Sequence, residues 1–210
     1  MPVDEPLYPV NLVLAGRPCL VVGGGRVALT KVRGLVDAGA VVTVVAPDID
    51  PEVAALAASA EARAYRPGEA TEYRFVIAAT GDPAVNQQVY DDGEAAGVWV
   101  NSADDPQRCS AILPARVRRG RLLLTVSTGG HSPAVAAWVR KRLADAYGPE
   151  YDQLIGLLSE VRSEVQARGV GTEQLDWQEA LDSGILDLLR ADRLDEAKER
   201  LRACLSSSSD

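Results

Sequence analysis

The run Cys19-Leu20-Val21-Val22-Gly23-Gly24-Gly25-Arg26-Val27-Ala28 constrains this chain more than any other stretch. Four mostly apolar residues enter a glycine turn, and a helix-like segment leaves it, from Val27 to about Ala38. Gly23, Gly25 and Ala28 stand at the three positions of a G-x-G-x-x-A fingerprint. The first small residue permits a tight turn, the second lets a pyrophosphate approach the backbone, and the third lets the helix pack closely on its strand. The N–H groups and positive dipole end of that helix would face the phosphates. A glycine turn with no ligand could use the same residues, so the surroundings must decide. Gly39-Ala40 and the β-branched run Val41 to Val45 follow, completing a βαβ unit that points to dinucleotide binding.

Charge narrows the choice of partners. The 210 residues carry a formal charge of −8, which argues against a general nucleic-acid or anionic-membrane binder. An anionic small ligand would need a local basic patch. Cys19, Cys109 and Cys204 lie far apart with no C-x-x-C pair, so neither a disulfide framework nor a thiolate metal site is expected. Asp4 and Glu5 stand where a signal peptide would be basic, and no apolar run reaches the ~20 residues of a membrane span. A cytoplasmic protein is the expectation.

Taken in order, Leu7 to Leu14 reads as an extended or edge element, because Pro6 precedes it and Pro9 lies within it. Cys19 to Val22 is the first strand, and Val27, Val32, Leu35 and Val36 mark its following helix, with Gly39 as C-cap. The second strand, Val41 to Val45, stops at Pro47. A standard fingerprint places Asp or Glu at this strand end for the adenosine ribose; here Ala46-Pro47 intervenes and Asp48 is the nearest acid. Asp48 would favour NAD, since a carboxylate repels a 2′-phosphate; equally, it could cap a helix from Pro51 to about Ala60. Arg74 to Thr80 reads as a buried parallel strand, Ala84 to Ala96 as a helix, and Val98 to Asn101 as another strand. The small residues Ala79 and Thr80 suit close passage of a cofactor at the strand carboxyl ends.

Cys109 to Pro114 reads as a short strand and Arg121 to Ser127 as a clearer one. Arg108, Arg116, Arg118, Arg119 and Arg121 supply five cations and no acid between residues 107 and 121, either an anion site or a solvated hairpin tip. Ser132 and Pro133 open a helix from about Ala134 to Tyr147, on which Trp138, Val135 and Arg142 share a face read as packing. His131, the one histidine, is a proton carrier, a metal ligand or a polar loop residue. Beyond Gly148-Pro149 the periodicity is helical: Leu154 to Val165, Ile185 to Leu189 and Leu194 to Leu205, with Ser206 to Ser209 a flexible end. No His/Cys/Glu cluster has ligand spacing, so no protein-held metal is expected.

This pattern resembles the precorrin-2 dehydrogenase family, including the amino-terminal module of siroheme synthases. The resemblance spans about residues 7–147. It rests on Tyr8-Pro9-Val10-Asn11-Leu12, the turn Val21 to Ala28 with Lys31, Ala78-Ala79-Thr80 with Val85-Asn86, Val100 to Pro106, and Val126 to Pro133. It implies oxidation of precorrin-2 to sirohydrochlorin with hydride passing to NAD, and in some members ferrous iron insertion to give siroheme. It also implies a homodimer. The fold expected is α/β: a Rossmann-like parallel-sheet domain over residues 1–112, a small α+β dimerisation segment over 113–148, and a helical C-terminal domain over 149–210 with a disordered end.

Residue by residue, the resemblance places Asp104 at the family's catalytic aspartate, a general base for the macrocycle's proton. Asp105 competes for that role, and either acid could instead form an Asx turn before Pro106. Gly23, Gly24, Gly25, Arg26 and Val27 match the phosphate turn, and Pro47 and Asp48 the adenosine side. Ala79 and Thr80 are assigned to cofactor binding, and Asn101 to the nicotinamide end. Arg108, Arg116, Arg118 and Arg119, with Ser127, Thr128 and His131, are assigned to the substrate's carboxylates, the arginines on charge alone. Two other classes stay open: a regulatory module that senses NAD without turnover, and an oxidoreductase acting on another polyanion.

Overall fold

A computed structural model describes residues 3–103, 105–169, 171, 173 and 175–207. The chain divides into two compact units, Met1–Leu113 with Ser127–Pro133, and Pro114–Val126 with Ala134–Asp210.

The first unit is a parallel five-stranded sheet. Its elements are β1 (Pro18–Val22), α1 (Arg26–Val36), β2 (Val41–Ala46), α2 (Pro51–Leu56), β3 (Ser59–Ala62), β4 (Phe75–Ala78), α3 (Pro83–Ala96) and β5 (Trp99–Ser102). Strand order is β3-β2-β1-β4-β5 and every pair is parallel. The chain therefore starts in the centre, builds outward one way, then crosses over to build the other. That reversal opens a crevice at the carboxyl ends of β1 and β4, where ligands of such sheets bind. β1, β2 and β4 are almost fully buried, because helices cover both faces and leave no polar side. One face packs Cys19, Val21, Val42, Val44, Phe75 and Ile77 against Ala28, Val32 and Leu35 of α1. The other packs Leu20, Val22, Val76, Ala78 and Val100 against Val89 of α3.

Several local expectations change. Residues 6–14 form no strand, and Tyr8, Val10 and Val13 are exposed. On α1 the inner residues are Ala28, Val32 and Leu35; Val27 and Val36 face solvent. α2 stops at Leu56 rather than Ala60, because Ser59–Ala62 pairs with β2 as an edge strand. Its N-cap is Asp50, which accepts the Glu52 N–H at 2.8 Å; Asp48 is not the cap. Cys109 to Pro114 is not a strand. Pro106–Arg108 forms a single 3-10 turn, after which the chain folds back so that Ser110 N–H and Ala111 N–H both donate to Val100 O.

The second unit joins a hairpin to helices. β6 (Ala115–Arg119) pairs antiparallel with β7 (Leu122–Val126) through the turn at Gly120, so most of the arginine run is itself a strand. Then come α4 (Pro133–Ala146), α5 (Glu150–Ala167), α6 (Trp177–Asp182), α7 (Ile185–Arg190) and α8 (Leu194–Ser207). Leu154, Leu157 and Val161 of α5 pack with Ala180, Ile185, Leu188, Leu189, Leu201 and Leu205. α6 is an addition to the sequence reading; of the flexible end read at Ser206 to Ser209, Ser206 and Ser207 instead continue α8, and 208 and 209 lie outside the described residues. Val135 and Trp138 of α4 are 49% and 58% exposed, and the Arg142 guanidinium packs over Trp138, 4.4 Å from the indole centroid.

Candidate functional site: a nucleotide crevice

The glycine elbow sits where β1 ends. Gly23 has φ +128°, a conformation costly for any side-chain-bearing residue, and a Cβ there would lie 2.3 Å from Ala79 O. Gly24 is tight for another reason: its Cβ would lie 2.1 Å from Asp48 O. Two flanking loops thus close on the elbow's backbone, locked by Gly23 N–H to Val45 O, Asp50 N–H to Gly24 O and Ala79 N–H to Val22 O at 2.7–2.9 Å.

Gly25 is different. It is exposed, its φ of −95° suits any residue, and a Cβ would meet nothing within 4 Å. It is also the N-cap of α1, with no side chain to offer and no acid in the first turn. The Arg26, Val27 and Ala28 N–H groups have no acceptor one turn back. An uncapped helix start beside open space, bounded by backbone, is what a pyrophosphate requires. The residues present fit a dinucleotide.

Across the crevice, the turn after β4 is braced by its own side chains. Thr80 Oγ1 donates to Asn86 Oδ1 at 2.7 Å, and Asn86 Nδ2 donates to Thr80 O at 3.1 Å. Asp82 caps α3 by accepting the Ala84 N–H at 2.8 Å. Pro47 and Asp48 are exposed on the other side. At the end of β5, Asn101 Nδ2 donates to Ala111 O at 3.0 Å, while Asn101 Oδ1 and Ser102 Oγ are buried without a partner. Cys109 Sγ accepts from Ser102 N–H at 3.2 Å. Burial pushes the Cys109 thiol up, against the Ser102 hydrogen bond that lowers it, so this thiol stays protonated at neutral pH.

Asp104, the expected base, lies outside the described residues. Its competitor Asp105 is engaged: Oδ1 accepts the Gln107 N–H at 3.0 Å and Oδ2 pairs with Arg108 Nη1 at 2.7 Å. The other half of the Arg108 fork reaches Gln87 Oε1 at 2.6 Å. Pairing of an acid with a base three residues on, across one 3-10 turn, was a signal available in the sequence.

The remaining assigned residues fall in different places. Ser127 Oγ accepts the Gly129 N–H, Thr128 Oγ1 accepts the Ser132 N–H, and His131 Nε2 lies 3.1 Å from Val3 O and 3.3 Å from Asp4 Oδ1. Arg108 belongs to the first unit, and Arg116, Arg118, Arg119 and Arg121 to the second. Arg116 and Arg118 side chains are exposed. Arg121 Nη1 pairs with Asp152 Oδ1 at 3.1 Å. Arg119 closes the end of α4 instead, donating to Tyr147 O and Ala144 O at 3.0 Å each. Arg119→Ala is therefore expected to cost ~1–3 kcal/mol in denaturant unfolding, by orphaning these carbonyls. Unchanged stability would show that its contacts hold nothing together.

A cavity of about 340 Å³ lined by Leu12, Val13, Leu14, Arg17, Arg74 and Trp99 lies at the amino ends of the strands, away from the elbow. Among the described residues no group of three His, Cys, Asp or Glu side chains gathers as a metal site, and no helix is long and apolar enough to cross a membrane.

Comparison with known proteins agrees with this geometry. Residues 10–115 match a family described as "Putative NAD(P)-binding", and residues 119–146 match "Sirohaem biosynthesis protein central". A siroheme synthase of Pseudomonas putida strain F1 is 38% identical over 206 residues, 95% of this chain and 44% of that protein. One from Stutzerimonas stutzeri strain A1501 is 40% identical over 196 residues, 90% of this chain and 42% of that protein. The chain thus spans less than half the length of these curated relatives. A solved structure titled "SirC, precorrin-2 dehydrogenase" superposes with a TM-score of 0.72 at 28% identity, covering 94% of this chain and 100% of that one. The chain belongs to the family described as "Putative NAD(P)-binding" over residues 10–115, followed by a stretch that matches the sirohaem biosynthesis central region.

Proposed function

We propose that this protein oxidises precorrin-2 to sirohydrochlorin, with NAD as hydride acceptor. The observation that carries the reading is the uncapped start of α1 at Gly25, open to solvent at the crevice between β1 and β4. The nature of the solved structural neighbour, matched over its whole length, supplies the substrate.

Bound NAD supplies the two-electron acceptor; the protein supplies position and electrostatics. Gly23, Gly24, Gly25, Arg26 and Val27 would hold the pyrophosphate, Pro47 and Asp48 the adenosine side, and Ala79, Thr80 and Asn101 the nicotinamide side. The macrocycle loses one hydrogen as hydride and a second as a proton, and Asp104 takes that proton. The engagement of Asp105 by Gln107 and Arg108 favours Asp104 as the base. In the first unit, Ser127, Thr128 and His131 would meet the substrate; in the second, the exposed Arg116 and Arg118 would be carboxylate partners on charge alone.

Purified protein mixed with precorrin-2 and NAD should produce reduced nicotinamide absorbance in step with sirohydrochlorin. A flat trace with active substrate would favour a sensor that binds NAD without turnover. Iron insertion is a separate arm of the reading: ferrous iron would enter as a substrate held by the macrocycle. It is tested by supplying sirohydrochlorin and iron directly, and insertion no faster than without protein removes it.

A cytoplasmic homodimer completes the reading. Among the described residues Cys19, Cys109 and Cys204 form no disulfide, which suits a reducing compartment. Exposed Val135 and Trp138 lie on α4, within the stretch matching the sirohaem central region. Trp138→Glu is expected to shift the sedimentation coefficient from dimer to monomer, because a charge placed in an apolar interface is left unpaired. A sedimentation coefficient unchanged from wild type would move the interface off this face.

A further inference from the structure

The segment between β5 and β6 has little regular structure, yet it is held at both ends. On the incoming side, Ala103 N–H donates to Ala78 O at 2.9 Å, tying the residue before Asp104 to the end of β4. On the outgoing side, Cys109 Sγ accepts from Ser102 N–H, and Ser110 Oγ accepts from Val100 N–H at 2.9 Å. Among the described residues between these anchors, the Arg108 side chain reaches out of the loop. Arg108 Nη1 bonds Asp105 Oδ2, and Arg108 Nε bonds Gln87 Oε1 on α3. Gln87 is held in turn, its Nε2 donating to Asp91 Oδ1 at 2.8 Å.

We infer that Arg108 is a positioning residue: it clamps the loop carrying Asp104 to α3 through Asp105 and Gln87, and does not bind substrate. The inference rests on the reading of Asp104 as base. Its physical basis is the guanidinium fork, whose rigid, planar donors fix two partners at once where an ammonium would fix one. Arg108 and Asp105 side chains are only 29% and 31% exposed, so this pair is less screened than the surface pairs that contribute little. Both directed donors named here are spent on the protein itself. A base must stand within hydrogen-bond reach of its proton, and displacement by about 1 Å can lower the rate on the order of 100-fold.

The test is a kinetic double-mutant cycle on the full chain with NAD and precorrin-2. Arg108→Gln is expected to lower kcat by about 10-fold or more while the KM for precorrin-2 and the Kd for NAD stay within about 2-fold. Arg108→Lys keeps the charge but loses the fork, and Gln87→Ala removes the far partner; both should fall between wild type and Arg108→Gln. The double variant Arg108→Gln/Gln87→Ala should be no slower than Arg108→Gln alone, since both changes cut one linkage. A raised KM with kcat intact would overturn the inference and return Arg108 to substrate binding. So would additive losses, or wild-type kcat in Gln87→Ala. Failure of the underlying reading is seen separately, as undiminished turnover in Asp104→Asn with Arg108 untouched.

Discussion

Asp104→Asn should leave NAD binding intact and lower turnover at least ~100-fold, the lower range of general-base catalysis. The substitution keeps the shape of the side chain and removes its basicity, so a folding defect is not the expected cause of the loss. The check is paired: calorimetric titration with NAD for the first half, and single-turnover absorbance with precorrin-2 for the second. Asp105→Asn is the informative control. Asp105 shapes the 3-10 turn and anchors Arg108, so its loss should act through loop position and be milder. If the two variants exchanged behaviour, the base would be Asp105.

Gly25→Ala should separate ligand binding from stability. The added methyl meets no protein atom within 4 Å and the backbone there is extended, so the melting temperature should stay within about 2 °C of wild type. The same methyl projects into the space assigned to the pyrophosphate, and NAD affinity should fall by about 10-fold or more. Gly23→Ala should do the opposite first. Its methyl would lie 2.3 Å from Ala79 O at a φ of +128°, and destabilisation of more than ~2 kcal/mol is expected. Calorimetry with NAD and thermal unfolding, run on both variants, check the pair. Undiminished NAD affinity in Gly25→Ala would place the nucleotide elsewhere.

Much of the first unit was legible because its signals are strong and local. Glycines at fixed spacing, β-branched runs and Pro-initiated helices located β1, α1, β2, β4, α3 and β5 in order. What escaped was carried by long-range partners. Ser59-Ala60-Glu61-Ala62 has no β-branched or aromatic residue, and becomes a strand because β2 offers it an edge. Arg116, Arg118 and Arg119 read as an anion site or a charged tip, yet Val117 turns inward between them and the run pairs with β7. Cys109 to Pro114 looked like a strand because its first residues do return to β5, though through a serine hydroxyl, a thiol and two N–H groups sharing one carbonyl.

The site was legible in its glycines and less so in its polar residues. The fingerprint marked Gly23, Gly25 and Ala28, but the demand on Gly24 comes from Asp48 O, a loop remote in sequence. Arg108 and Arg119 were grouped by charge. Their partners, Gln87 on one helix and the last carbonyls of another, lie 21 residues and 25–28 residues away, beyond what composition can reveal.

The return of residues 109–111 to β5 also bears on how the protein keeps to itself. β5 is the last strand on its side of the sheet, and the outward groups of Val100 and Ser102 already have bonds from within the chain. A neighbouring molecule seeking to extend the sheet finds no vacant rung there. The loop that follows β5 thereby removes that edge of the folded sheet as a template for strand addition.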